Sequence, residues 1–104
     1  AGLRLYVALL ADQREEAARL VPAAQREGGW LAHLALGMHA QQMLRDPALA
    51  LTWLARAVSA RPADERPALV RAEVEIATGR LDAAQAHVLA ELERRGVFWR
   101  HVFE

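Results

Sequence analysis

Apolar residues recur with the spacing of amphipathic helices along almost the whole chain. Leu31, Leu34, Ala35 and Met38, for example, fall at positions i, i+3, i+4 and i+7, which places them on one face of a helix. Alternation at period two is not sustained anywhere, so the pattern predicts no strand. Breakers and capping residues divide the apolar positions into six predicted helices, over residues 3–10, 13–26, 30–44, 47–61, 65–78 and 81–94.

The predicted helix ends carry recognisable start and stop residues. Gly28 and Gly29 end the second helix, and Pro62 ends the fourth. Asp46 followed by Pro47 is an N-cap with proline at the first helical position, which is a strong helix start. These residues define the helices independently of the apolar periodicity.

Pro22 is the one residue that fits its predicted helix badly. A proline inside a helix removes the backbone hydrogen bond to the residue four positions earlier and crowds that carbonyl, at a cost of about 3 kcal/mol. The second helix is therefore expected to be kinked or split in two at Pro22, and a kink is favoured.

The same residue types return about every 34 positions. Small residues, apolar residues four positions later and breakers twelve positions later recur together: Ala17, Ala50 and Ala84; Val21, Leu54 and Val88; Gly29, Pro62 and Gly96. A period of this length is typical of stacked helical hairpins. The six helices are therefore predicted to pair as three antiparallel hairpins in units 1–29, 30–62 and 63–96, with residues 97–104 as a short C-terminal capping helix.

These units resemble the tetratricopeptide repeat family. The match is carried in the middle unit by Leu36, Gly37, Ala50, Leu54, Ala57 and Pro62, and in the third unit by Ala72, Gly79, Ala84 and Val88. The resemblance implies an all-α, right-handed α-solenoid. The departures are Asp12 and Arg45 at the turn glycine, Ala40 and Glu75 at the aromatic position, and one extra residue in the turn at 41–46.

In that family the first helix of each hairpin lines a concave groove that holds a partner. Carried over by position, the partner-binding residues are Tyr6, Leu31, Leu34, Met38, Gln41, Gln42, Leu69 and Glu73. Such an apolar groove suits an amphipathic helix or an apolar extended segment. The alternative for each apolar position is an ordinary core residue. A carboxylate clamp of the kind known in the family is not expected, because the chain has neither Lys nor Asn.

Aromatic residues are concentrated near the C-terminus, where Phe98, Trp99 and Phe103 follow Gly96. Two interpretations remain open. The aromatic side chains cap the last hairpin, or they form an exposed end interface through which the chain dimerises.

Composition excludes several classes of partner. The 13 basic and 13 acidic residues give no net charge, so no nucleic-acid surface is predicted. No apolar run approaches the roughly 20 residues of a membrane span, so no membrane insertion is expected. All basic residues are Arg, which suggests a GC-rich, bacterial source. No signal peptide is visible, which favours the cytoplasm and leaves the periplasm open.

Candidate catalytic and metal-binding residues do not group. His33 and His39 are six residues apart, about 240° around a helix, and His87 has no Cys or carboxylate at ligand spacing. No nucleophile motif or phosphate loop is present, so neither metal, cofactor nor enzymatic activity is expected. The prediction is an interaction scaffold, adaptor or chaperone-like module. The alternative is a fragment of a longer helical array in a regulatory or secretion protein, self-associating through its ends.

Overall fold

Residues 1–94 are described by the computed structural model, and they fold into six α-helices with no strand among them. In chain order the helices are α1 (Gly2–Leu10), α2 (Arg14–Glu27), α3 (Gly29–His39), α4 (Pro47–Ala60), α5 (Glu65–Ala77) and α6 (Leu81–Arg94). A π-helical turn (Ala40–Leu44) prolongs α3 to the residue at which the sequence predicts its end. The all-α prediction is confirmed for this part of the chain, whereas the predicted capping helix at 97–104 lies outside it.

Aspartates cap α4 and α5. The Asp46 carboxylate accepts a hydrogen bond from the Leu49 N–H at 3.1 Å, and Pro47 follows at the start of α4, where a missing N–H is tolerated. Asp64 likewise accepts from the backbone N–H of the second residue of α5 at 3.0 Å. Helix α2 runs through Pro22 as one element, so the second predicted helix is not split there.

Each hairpin turn contains one residue in the left-handed conformation, at the same place in the repeat. These residues are Asp12 (φ 55°), Arg45 (φ 54°) and Gly79 (φ 78°). Glycine is the residue best suited to this region of backbone space. Asp12 and Arg45 adopt it as well, so the departures from glycine change the side chain and leave the turn in place.

The backbone hydrogen bond that closes each turn defines the register between the hairpins. Its donor and acceptor are Gln13 and Ala8 in the first hairpin, Asp46 and Ala40 in the middle one, and Arg80 and Glu75 in the third, at N–O distances of 2.8, 3.0 and 2.7 Å. The middle turn therefore holds one residue more than the others, and the π-helical turn accommodates it. Positions 8, 40 and 75 are equivalent in the first helices, as positions 17, 50 and 84 are in the second.

Small residues allow the helices within a hairpin to approach closely. Ala17, Ala50 and Ala84, the residues of the sequence recurrence, are all buried. A Cβ atom added to Gly37 in α3 would lie 2.6 Å from Leu54 Cγ in α4, well inside van der Waals contact. The recurrence of small residues is thus a packing requirement.

The buried core is aliphatic and belongs mostly to the first two hairpins. Leu5, Leu34 and Leu54 are among its fully buried side chains. Among the described residues of the third hairpin, only Val74 belongs to this cluster, with Val70 packed against it. The third hairpin is therefore attached to the core through one side of α5.

The two junctions between hairpins differ. Helix α3 contacts both α1 and α2, whereas α5 contacts α4 and at most slightly α3. Helix α6 contacts α5 and buries only Ala84 among its described residues. The resulting body measures 47 × 26 × 22 Å, with its long axis about twice the other two.

Candidate protein-interaction site

The middle part of the predicted groove lies inside the core. Leu34 is 0% exposed and Met38 is 7% exposed. Their burial follows from the position of α3, which contacts α1, α2 and α4, so that every residue from 34 to 40 is buried. The prediction that Leu34 and Met38 line an open groove is therefore wrong, and the alternative assignment to the core holds for both.

The other predicted contact residues are more accessible. Tyr6 and Leu31 are partly buried against the core, Gln41 is partly buried, and Gln42, Leu69 and Glu73 are exposed. Leu69, Glu73 and Ile76 follow one another at i, i+4 and i+7 on α5, and we call these three residues the α5 face. Leu69 is 48% exposed and Ile76 is 56% exposed. Phe98, Trp99 and Phe103 lie outside the described residues.

A second apolar surface, on α1, was missed by the sequence analysis. Leu3, Val7 and Leu10 are all more than half exposed and share one side of the helix; we call them the α1 face. Leu3 and Val7 line an open groove of about 930 Å³ between α1 and α2. The spacing i, i+4, i+7 was visible in the sequence, but α1 also carries inward-facing leucines, so periodicity alone did not separate the two sides.

Charged side chains border this groove. Arg4, Arg14, Glu15, Glu16 and Arg19 line it. Glu16 pairs with Arg19 one turn later on α2, and its other oxygen lies 3.8 Å from Arg4 on α1. Such exposed pairs contribute little to stability. The border is therefore a charged rim around an apolar strip.

The Trp30 side chain, near the start of α3, contacts two arginines at the junction of the second and third hairpins. The guanidinium carbons of Arg61 and Arg66 lie 4.7 and 5.4 Å from its ring centroid, within cation–π range. The ion pair between Arg66 and Asp64 raises the pKa of the guanidinium, to which Tyr6 adds a smaller effect, and it lowers the pKa of the carboxyl. The cluster connects α1, α3, α4 and α5 at one end.

The third hairpin contains a polar pair that sequence reasoning also missed. The buried Glu75 carboxylate lies 2.9 Å from Nδ1 of the partly exposed His87. Burial lowers the pKa of the nearby Arg71 guanidinium, and the charge of Glu75 opposes that shift. The positions of Glu75 and His87 are occupied by Ala8 and Leu20 in the first hairpin, and by Ala40 and Trp53 in the middle hairpin. Comparing the hairpins in register would have placed Glu75 opposite His87, whereas spacing along the chain did not.

The remaining described histidines are separate from this pair. Burial lowers the pKa of both His33 and His39, and Arg56 adds to the effect on His33. The His33 ring stacks on Trp53 with centroids 5.4 Å apart. Within residues 1–94 no three His, Cys, Asp or Glu side chains are grouped as metal ligands.

Within residues 1–94, the α1 face and the α5 face are thus two helix sides on which large apolar residues are exposed in line. No protein-family model, curated protein or solved structure matches the chain. None of the helices in residues 1–94 is long and apolar enough to cross a bilayer. The function is therefore inferred from the internal repeat and from the surfaces that it leaves exposed.

Proposed function

We propose that this chain is a tetratricopeptide-like interaction module, which binds other proteins and catalyses no reaction of its own. The proposal is supported by three turns with a left-handed residue at the same place, by second helices of 14 residues each, and by buried alanines at equivalent positions. A right-handed solenoid of three hairpins accounts for this regularity.

The observation that carries the proposal is the exposure of large apolar side chains in line on a helix. On α5, Leu69 and Ile76 are about half exposed and lie seven residues apart, with Glu73 between them. Aligned exposed apolar residues bordered by charges are typical of protein-binding surfaces. A partner helix with an apolar stripe fits such a face.

The α5 face is the accessible part of the binding set predicted from the sequence, and we propose it as the main contact. Tyr6, Leu31, Gln41 and Gln42 are secondary candidates because they are only partly exposed or stand apart from an apolar strip. The second candidate function, a segment of a longer array that associates through its ends, is favoured by the additional apolar surface on α1.

Capture of partners from extracts of the native host tests the proposal. Leu69→Glu and Ile76→Glu place charge on the α5 face and are expected to lose the captured protein, as quantified by mass spectrometry. Leu44→Glu is the matched control, since Leu44 is 54% exposed and belongs to neither face. All three changes are at exposed positions, so thermal unfolding should change little.

A partner that binds all three variants as well as it binds the unmodified protein would show that the α5 face is not the contact. Loss of binding in the Leu44→Glu variant as well would point to a general effect of added charge.

A further inference from the structure

Two of the three positions of the α1 face, those of Leu3 and Val7, are buried or partly buried in the other two hairpins, whereas Gln42 and Ala77, the equivalents of Leu10, are exposed. The turn hydrogen bonds set the register between the hairpins. In this register Leu3 is equivalent to Ala35 and Val70, and Val7 is equivalent to His39 and Val74. Val70 and Val74 are the residues by which α5 joins the core of the first two hairpins. This side of a first helix therefore faces the preceding hairpin. In α1 the same positions are exposed, Leu3 at 60% and Val7 at 52%.

The two apolar residues of the α5 face are exposed, whereas their equivalents in the first hairpin are buried. Its Leu69 and Ile76 are equivalent to Gly2 and Leu9 of α1. Gly2 packs directly on the second hairpin, since a Cβ atom there would lie 2.9 Å from Ala32 Cα, and Leu9 belongs to the buried core. Between the first two hairpins, this side of the first helix therefore faces the following hairpin. In α5 it is exposed.

We propose that copies of this chain stack head to tail, with the α1 face of one copy seated on the α5 face of the next. Each face presents a side of a first helix that is buried where the first two hairpins meet: Ala35 and His39 are buried in α3, and Gly2 and Leu9 are buried in α1. The α1 face corresponds to the side of α3 that meets the preceding hairpin, and the α5 face corresponds to the side of α1 that meets the following hairpin. The contact between copies would therefore repeat the contact between the first two hairpins. This inference rests on the proposed interaction function and names a second copy as the partner.

Charge favours the pairing of unlike faces. The α1 face is bordered by three arginines and two glutamates: Arg4, Arg14, Arg19, Glu15 and Glu16. The α5 face carries Glu73, which is exposed and forms no ion pair with residues 1–94. Head-to-tail stacking brings Glu73 towards the net positive border, whereas two α5 faces would oppose one Glu73 to another.

A contact between unlike faces leaves one free face at each end of the assembly. It therefore generates open chains or rings instead of a closed pair. The expected behaviour is a mean mass that rises continuously with protein concentration, without a plateau at the dimer.

Sedimentation velocity over a concentration series tests the inference with one variant for each face. Val7→Glu places a negative charge opposite Glu73 and blocks the α1 face, whereas Ile76→Arg places a positive charge opposite the arginine border and blocks the α5 face. Each variant alone is expected to be monomeric. An equimolar mixture is expected to form a 1:1 dimer and nothing larger, because it holds one intact face of each kind.

Leu44→Glu is the control and should assemble as the unmodified protein does, and circular dichroism verifies that each variant is folded. An unmodified protein that stays monomeric throughout the series would overturn the inference. So would a dimer that persists in one single variant and is unchanged by mixing, since that result indicates symmetric pairing. If the protein is monomeric but Leu69→Glu still loses a different captured protein, the interaction function stands and only the second copy fails as its partner.

Discussion

Among single residues, the buried histidine of α3 gives the clearest prediction. Burial lowers the pKa of His39 in the folded protein, while the unfolded chain returns it to the ordinary value of about 6.5. The unfolded state then binds more protons in mild acid. The free energy of unfolding should therefore be at its full value above about pH 6.5 and fall as the pH is lowered through the folded pKa.

Urea unfolding at about pH 7.5 and about pH 5 measures this loss. His39→Leu removes the titrating group from a buried site and should show a smaller loss between the two pH values than the unmodified protein. The prediction concerns the difference between the two pH values, so a change in overall stability does not affect it. An equal loss in both proteins would assign the acid sensitivity to other groups, such as His33, whose pKa burial also lowers.

The sequence alone did not determine whether single residues of the predicted groove are exposed or buried. Leu36 lies on the opposite side of α3 from Leu34 and Met38, and all three residues are buried. Apolar periodicity identifies the side that faces one neighbour, but a helix with neighbours on several sides is apolar nearly all round. The number of neighbours depends on the assembled fold, so Leu34 and Met38 could not be assigned to the groove or to the core beforehand.

At the scale of elements, the packing of α5 on α6 depends on a polar pair where the other hairpins use apolar residues. His87→Leu leaves the Glu75 carboxylate buried without its partner, and should lower the free energy of unfolding by about 1–2 kcal/mol. This loss is smaller than for a fully buried pair because solvent screens the partly exposed His87. The double change Glu75→Ala with His87→Leu installs the first hairpin's own pair, Ala8 and Leu20. It should recover most of the loss.

Chemical denaturation of the two single variants and the double variant forms a double-mutant cycle. A double variant that loses as much as the two single variants together would show that Glu75 and His87 are not energetically coupled, and would contradict the role of the pair in joining α5 to α6.

The elements themselves were largely predictable because their ends depend on local chemistry. Asp46 and Pro47 start α4, and Gly28 with Gly29 separates α2 from α3. At Pro22 the alternative of a split helix is wrong, because α2 continues through it, and the favoured kink stays a prediction. The pairing of Glu75 with His87 was not predicted, since it depends on the register between two helices.

For the whole molecule, exposure depends on the place of a hairpin in the series. Leu3 and Val70 occupy the same position in their units, yet Leu3 is largely exposed and Val70 packs against the core. Val70 is covered by its contact with the core of the first two hairpins, and no local pattern in α5 encodes that contact. The α1 face therefore required the assembled structure to be recognised.

The uneven distribution of the core predicts uneven stability along the chain. Every residue from 34 to 40 is buried, whereas the described residues of α6 include only one buried residue, Ala84. Regions with few buried contacts open with lower free energy than the core. Amide hydrogen exchange should therefore be faster in α6 than in α3.

Val74→Ala, which weakens the attachment of α5 to the core, should accelerate exchange in α5 and α6 and leave α3 nearly unchanged. Val88→Ala on exposed α6 surface is the matched control and should alter neither. Equal acceleration in α3 and α6 after Val74→Ala would show that the three hairpins unfold as one cooperative unit, because the third could not then open separately from the first two.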